Sequence, residues 1–112
     1  MKGGGILGEP SFEQRHAFLD AVQGPVQEVC PQYGIDPDKA IRVAATQSNW
    51  GRHVLGHNYW MMGGKGDAGW VTLMLIDKID PSAPGGARTM RAKLAKYSSV
   101  QAAARAWCKA QR

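Results

Sequence analysis

The chain has 112 residues, 44% apolar and 21% charged, which describes one small globular domain and is too apolar for a disordered chain. Its longest uncharged apolar run is about the seven residues Trp70 to Ile76, against the ~20 of a membrane-spanning helix. No repeat or sustained heptad supports a solenoid or a coiled coil. The net charge of +5 comes from 14 Lys and Arg against 9 Asp and Glu, and it is unevenly spread. All three Glu (Glu9, Glu13, Glu28) lie in the first quarter. Beyond Asp80 there is no acid but there are seven bases: Arg88, Arg91, Lys93, Lys96, Arg105, Lys109 and Arg112. Such a surface either suits an anionic polymer or serves as a solubilising face.

Residues 1–10, glycine-rich and ending in Pro10, read as a flexible leader without the apolar core of a secretory signal. Residues 11–112 read as a single domain. Ser11 and Gln14 have capping-box spacing and open a first helix. Phe12, Leu19, Val22, Val26 and Val29 form its apolar stripe, and Gly24-Pro25 predicts a kink or a break. Asp36-Pro37 starts a second helix as N-cap and first helical residue. Its face of Ala40, Ile41, Ala44 and Ala45 is small enough for close helix packing, and Gly51 is the candidate residue beyond its end. Residues 52–69 are loop-rich. Trp70–Ile76 and Ala87–Ala95 predict a two-stranded hairpin around the turn cluster at Pro81–Gly86. Ser98, with Gln101, is expected to cap a last helix whose inner face is Val100, Ala103, Ala104, Trp107 and Cys108. The fold class is α+β, a helical body with a small β-lobe.

Cys30 and Cys108 fit neither a zinc pattern nor a redox CxxC; a disulfide between first and last helices and two separate buried thiols are both open. His53 and His57 have helical metal spacing, but no acid lies between them and Gly56 opposes a helix. No metal or other cofactor is expected. The glycines from Gly63 to Gly66 lack the spacing of a phosphate loop. They read as a close backbone approach to a sugar or as a hinge for the lobe.

The densest chemistry is Ala44-Ala45-Thr46-Gln47-Ser48-Asn49-Trp50-Gly51, followed by Gly56-His57-Asn58-Tyr59-Trp60. Amides, hydroxyls and three aromatic rings crowd one helix end and the loop after it. Flat rings stack on sugars and amides bind their hydroxyls, which is the composition of a carbohydrate cleft. The competing reading is that Trp50 and Trp60 are core.

These segments, in this order, resemble the family 73 glycoside hydrolases, the N-acetylglucosaminidase domains of the lysozyme superfamily. Phe18-Leu19-Asp20 matches the family's aromatic-led helix, and Tyr33-Gly34-Ile35-Asp36-Pro37 its turn. Ala44 to Gly51 matches "alanine-x-x-glutamate-serine-x-tryptophan-glycine" except at one place. Asn58-Tyr59-Trp60-Met61-Met62-Gly63-Gly64-Lys65-Gly66 fits the next motif, and Tyr97-Ser98-Ser99 the one before the last helix. The resemblance runs from about Phe12 to Trp107 and implies a lysozyme-like fold.

The exception is Gln47, where the family has its catalytic glutamate. A glycosidase's general acid gives a proton to the leaving oxygen, and a carboxamide has none to give at neutral pH. Gln is nearly isosteric with Glu, so the cleft is expected to form in a copy inactivated by design or by natural variation. The resemblance implies a second carboxylate from the β-lobe, Asp77 first and Asp80 second, with both also readable as turn acids beside Pro81. Activation of water, support of an oxocarbenium-like centre and participation of the substrate's N-acetyl group all remain open roles. Ser48, Asn58, Tyr59, Trp60 and Tyr97 are the implied sugar contacts, and Gln47, Asn58, Tyr59 and Tyr97 are expected to line one groove.

The expected function is thus a monomeric peptidoglycan hydrolase domain of N-acetylglucosaminidase type, for β-1,4 bonds between amino sugars, inactivated in this chain by Gln47 and set outside the cytoplasm. Its partners are peptidoglycan glycan strands and, if the parent is a toxin, an immunity protein. A non-catalytic glycan-binding module is the alternative. A small basic nucleic-acid binder is the third reading, opposed by bases that are not interleaved with aromatics along one helix.

Overall fold

The computed structural model describes residues 9–79, 82 and 84–111. Its elements in chain order are α1 (Phe12–Val29), a 3-10 turn (Cys30–Tyr33), α2 (Pro37–Ser48), β1 (Trp70–Ile79), β2 (Ala87–Ala95) and α3 (Val100–Ala110), with a second 3-10 turn (Pro84–Gly86) before β2. The class is the expected α+β.

The start of α1 is a reciprocal cap. The Gln14 N–H donates to Ser11 Oγ at 3.1 Å, and the Ser11 N–H donates to Gln14 Oε1 at 2.8 Å. The break predicted at Gly24-Pro25 does not occur, and α1 runs through with Pro25 inside it. Proline costs the helix one hydrogen bond, but Val22, Val26 and Val29 on either side are all fully buried. Each such burial stabilises by about 1.5–3 kcal/mol, enough together to hold one continuous face on the core. Phe12 leaves the predicted stripe: it is 80% exposed, and Phe18 takes the buried place.

Helix α2 starts as expected, with the Asp38 N–H donating to Asp36 Oδ1 at 3.0 Å. Its end differs. The left-handed residue that stops it is Asn49 (φ 51°), and Trp50 (φ 57°) and Gly51 (φ 82°) continue in the same region. Asparagine adopts this conformation readily, tryptophan does not. The turn is held by Ser48, whose hydroxyl donates to Ala44 O at 2.7 Å and accepts the Gly51 N–H at 2.9 Å. Helix α3 is capped by Ser99 rather than Ser98, with the Ala102 N–H donating to Ser99 Oγ at 3.0 Å.

Strands β1 and β2 pair antiparallel, from Trp70 opposite Ala95 to Ile79 opposite Ala87. The register shifts between Ile76 and Lys78, so Asp77 is the unpaired residue of a bulge. Helix α1 packs against α2 and α3. The core joins Phe18 and the three valines of α1, Ala40, Ala44 and Ala45 of α2, and Ala103, Ala104, Trp107 and Cys108 of α3, with Trp60 and Tyr97 from the loops. Cys30 and Cys108 are both buried and unbonded, their sulfurs 3.5 Å apart. Burial first, then the neighbouring thiol, pushes the Cys30 thiol up to about 12.

Candidate active site

A hollow of about 390 Å³ lies between the loop after α2 and the hairpin. Its walls are Arg52, His53, Val54, Leu55, Asn58 and Met61 on one side and Leu73 and Leu94 on the other. The loop is tied back onto the helix end, with the Arg52 N–H donating to Asn49 O at 3.2 Å and the His53 N–H to Ser48 O at 2.9 Å. Gln47 is exposed on the last turn of α2, in the segment that leads into this wall, and is not itself among the residues that line the hollow. Nothing in its surroundings buries the amide away from solvent.

The residues expected in one groove are distributed over several hollows. Asn58 lines the groove, but its side chain is committed to structure. Its Nδ2 donates to Met62 O and Ala95 O, both at 2.9 Å, and its Oδ1 accepts the Met62 N–H at 2.9 Å. It fastens the loop to the end of β2. Tyr59 lies in a second hollow of about 280 Å³, with Gln14, Ala17, Phe18, Trp50, Gly51 and Arg52. Trp50 meets Phe18 edge-on there, at 5.4 Å between ring centroids, with the Arg15 guanidinium 5.2 Å from its own centroid. Tyr97 lines a third hollow of about 320 Å³ with Asp67, Arg105 and Lys109. Burial raises the phenol pKa of Tyr59, and burial followed by the nearby Asp67 raises that of Tyr97.

Trp60 and Ser48 are interior residues. The Trp60 ring stacks on Trp107 (centroids 6.2 Å apart, 24° between planes), and its Nε1–H donates to Ala40 O at 3.0 Å. Trp60 therefore takes the core reading, and Trp50 is half-buried at the edge of an open hollow. Asp77 sits at the bulge in β1, which is as much as is described of it; Asp80 lies outside the described residues. The two histidines of the loop do different work: His53 lines the groove, and His57 Nδ1 bonds Tyr97 O at 2.8 Å.

The glycine-rich segment makes close approaches within the protein. Gly63 and Gly64 lie along β2, with the Gly64 N–H donating to Lys93 O at 3.2 Å. A Cβ on Gly66 would overlap the Lys96 carbonyl oxygen. Arg52, His53, Val54, Leu55, Met61, Leu73 and Leu94 are the wall residues that sequence reasoning missed. Strand alternation could have flagged Leu73 and Leu94 as one face of the hairpin.

No family model matches the sequence, and no curated protein matches it. Solved structures do match, and the described fold is similar to that of glycoside hydrolase and peptidoglycan hydrolase domains. The catalytic domain of the autolysin Auto from Listeria monocytogenes aligns with a TM-score of 0.74 and 23% identity, covering 96% of this chain and 60% of that one. The C-terminally truncated glycoside hydrolase domain of FlgJ from Salmonella typhimurium aligns at 0.64 and 19%, covering 84% of this chain and 70% of that one. A peptidoglycan hydrolase mutant from Sphingomonas sp. A1 aligns at 0.65 and 15%, covering 84% and 64%. At these identities the likeness is one of fold, and this chain spans about three fifths of the Auto domain.

Proposed function

We propose that this chain is a peptidoglycan hydrolase domain, related to the family 73 N-acetylglucosaminidases, with Gln47 in the place of the general acid. The observation that carries the reading is the position of Gln47: exposed at the end of α2, immediately before the loop that walls the groove, in a fold shared with glycoside hydrolase domains. The bond acted on is β-1,4 between amino sugars. In such a site an acid at position 47 protonates the leaving oxygen while a second carboxylate on the hairpin, Asp77 or else Asp80, serves the opposite side of the ring. Gln47 supplies hydrogen bonds and no transferable proton, so the chain binds glycan and turns it over slowly or not at all. Trp50 and Tyr59 offer aromatic surface beside the helix end.

The proposed setting is extracytoplasmic, where peptidoglycan lies, with an immunity protein as partner if the parent is a toxin. Among the described residues no helix is long and apolar enough to cross a membrane. The amide at position 47 also favours a second reading, a glycan-binding module without catalysis. A neutral N-acetylglucosamine oligomer titrated into isotope-labelled protein tests the groove. The account expects amide shifts concentrated at Arg52 to Met61 and at Leu73 and Leu94. Shifts elsewhere only, or none, remove the groove from the reading.

A further inference from the structure

The hairpin has a second face that the groove does not use. Leu73 and Leu94 line the groove, so strand alternation sets Trp70, Thr72 and Met74 on the other side of β1. Arg91 and Lys93, which pair with Met74 and Thr72, stand there on β2. Trp70 is 44% exposed. Two ammonium groups lie over its ring, Lys93 Nζ at 4.9 Å and Lys65 Nζ at 5.5 Å from the centroid. Lys65 also borders the hollow that carries Arg105 and Lys109 of α3, so the positive strip continues from hairpin to helix. The acid of that hollow is Asp67, whose two carboxylate oxygens accept from the Ser98 N–H and hydroxyl. The ion pairs among the described residues, Arg15–Glu9 and His16–Asp20, both lie at the α1 end of the chain.

We propose that this outer hairpin face is a second binding surface, for a carboxylate-bearing glycan: a sugar ring takes the place of an ammonium group over Trp70, and the long, exposed side chains of Lys65 and Lys93 swing out to pair, together with Arg91, with the carboxylates. Charge complementarity selects the occupant. A flat, half-exposed indole suits the apolar face of a sugar, and the cations around it suit acidic groups spaced along the strand. Peptidoglycan has both features, so the inference rests on the proposed function and gives it a wall anchor apart from the cleavage groove.

The test is co-sedimentation of the full chain with purified insoluble peptidoglycan, native and with its carboxylates amidated, alongside Trp70→Ala and Lys65→Gln/Lys93→Gln. Amidation and both variants are expected to weaken binding by about tenfold or more, since each removes charge or stacking from the same surface. Binding of a neutral N-acetylglucosamine oligomer in the groove should stay unchanged. Equal sedimentation of all forms, indifference to amidation, or tighter binding to a DNA duplex than to the wall overturns the proposal. The amidation arm needs no variant, and melting curves check that the variants fold. If the unmodified chain fails to sediment at all, this surface is refuted, and the neutral oligomer then reports separately whether the groove reading survives.

Discussion

The sulfur atoms of Cys30 and Cys108 lie 3.5 Å apart, bringing the end of α1 against α3 across 78 positions of sequence. A bond there would close most of the domain into one loop and restrict the unfolded chain. Such a loop is worth about 4.5 kcal/mol in chain entropy, and roughly 15–20 °C in melting temperature for a domain of this size. Refolding in an oxidising glutathione buffer is expected to give an intramolecular Cys30–Cys108 disulfide and that gain over the reduced form. In the folded reduced chain the Cys30 thiol, pushed up to about 12, stays protonated at neutral pH and oxidises slowly. Mass spectrometry showing two free thiols after oxidative refolding would contradict the expectation.

Asn58 is expected to be a stability residue. Its side chain makes three hydrogen bonds, two that close the loop on Met62 and one that ties it to Ala95 of β2. Asn58→Ala takes these partners from the Met62 N–H and the Ala95 carbonyl, while the Met62 carbonyl keeps the Ala95 N–H. Unsatisfied buried groups of this kind cost about 2–4 kcal/mol together. Urea unfolding measures it; a loss below about 0.5 kcal/mol would mean water or the backbone replaces the amide.

Much of the fold is legible in the residues because the signals are local. Ser11 with Gln14 and Asp36 with Pro37 mark helix starts through side chains that bond amides a few residues on. The valines of α1 and the alternation of the strands declare their buried faces. What stayed hidden depends on distant partners. Pro25 is tolerated because neighbouring valines are buried by other helices. Ser98 and Ser99 are chemically equal as caps until Asp67 occupies one of them. Asn58 and Trp60 carry the same chemistry as sugar ligands, and only the positions of Ala95, Ala40 and Trp107 show that they are used internally. Gln47 was legible as a motif residue, but the groove after α2 was not, since its walls come from the loop at Arg52 to Met61 and from Leu73 and Leu94 on two different strands.

Asp67 gives the domain an acid-sensitive link. The Ser98 hydroxyl, then the Ser98 N–H, hold its carboxyl below the ordinary carboxylate range. A depressed folded pKa contributes stability that is fully present above the unfolded value and lost as pH falls through the folded one. Ser98→Ala should therefore flatten the decline of melting temperature below about pH 4. Parallel acid profiles for the two proteins would show that Asp67 titrates as it does in the unfolded chain.

Gly66→Ala should destabilise by at least about 2 kcal/mol, because the added Cβ meets the backbone carbonyl of Lys96, which has no flexible end to yield. Thermal unfolding is the measurement. A wild-type melting temperature would place the segment farther from β2 than the described packing.

The central claim is that position 47 is the general-acid position of a peptidoglycan glycosidase, and the most direct measurement is turbidity loss of purified cell walls with the chain and with Gln47→Glu at matched concentration. Glutamate restores a transferable proton with almost no change of shape, and general acid catalysis contributes about 10²–10⁴-fold. The account predicts at least a hundredfold gain in lytic rate for Gln47→Glu, on the order of the lower end of that range, with wall binding little changed. Equal rates in the two forms, or no lysis by either while binding persists, would contradict it.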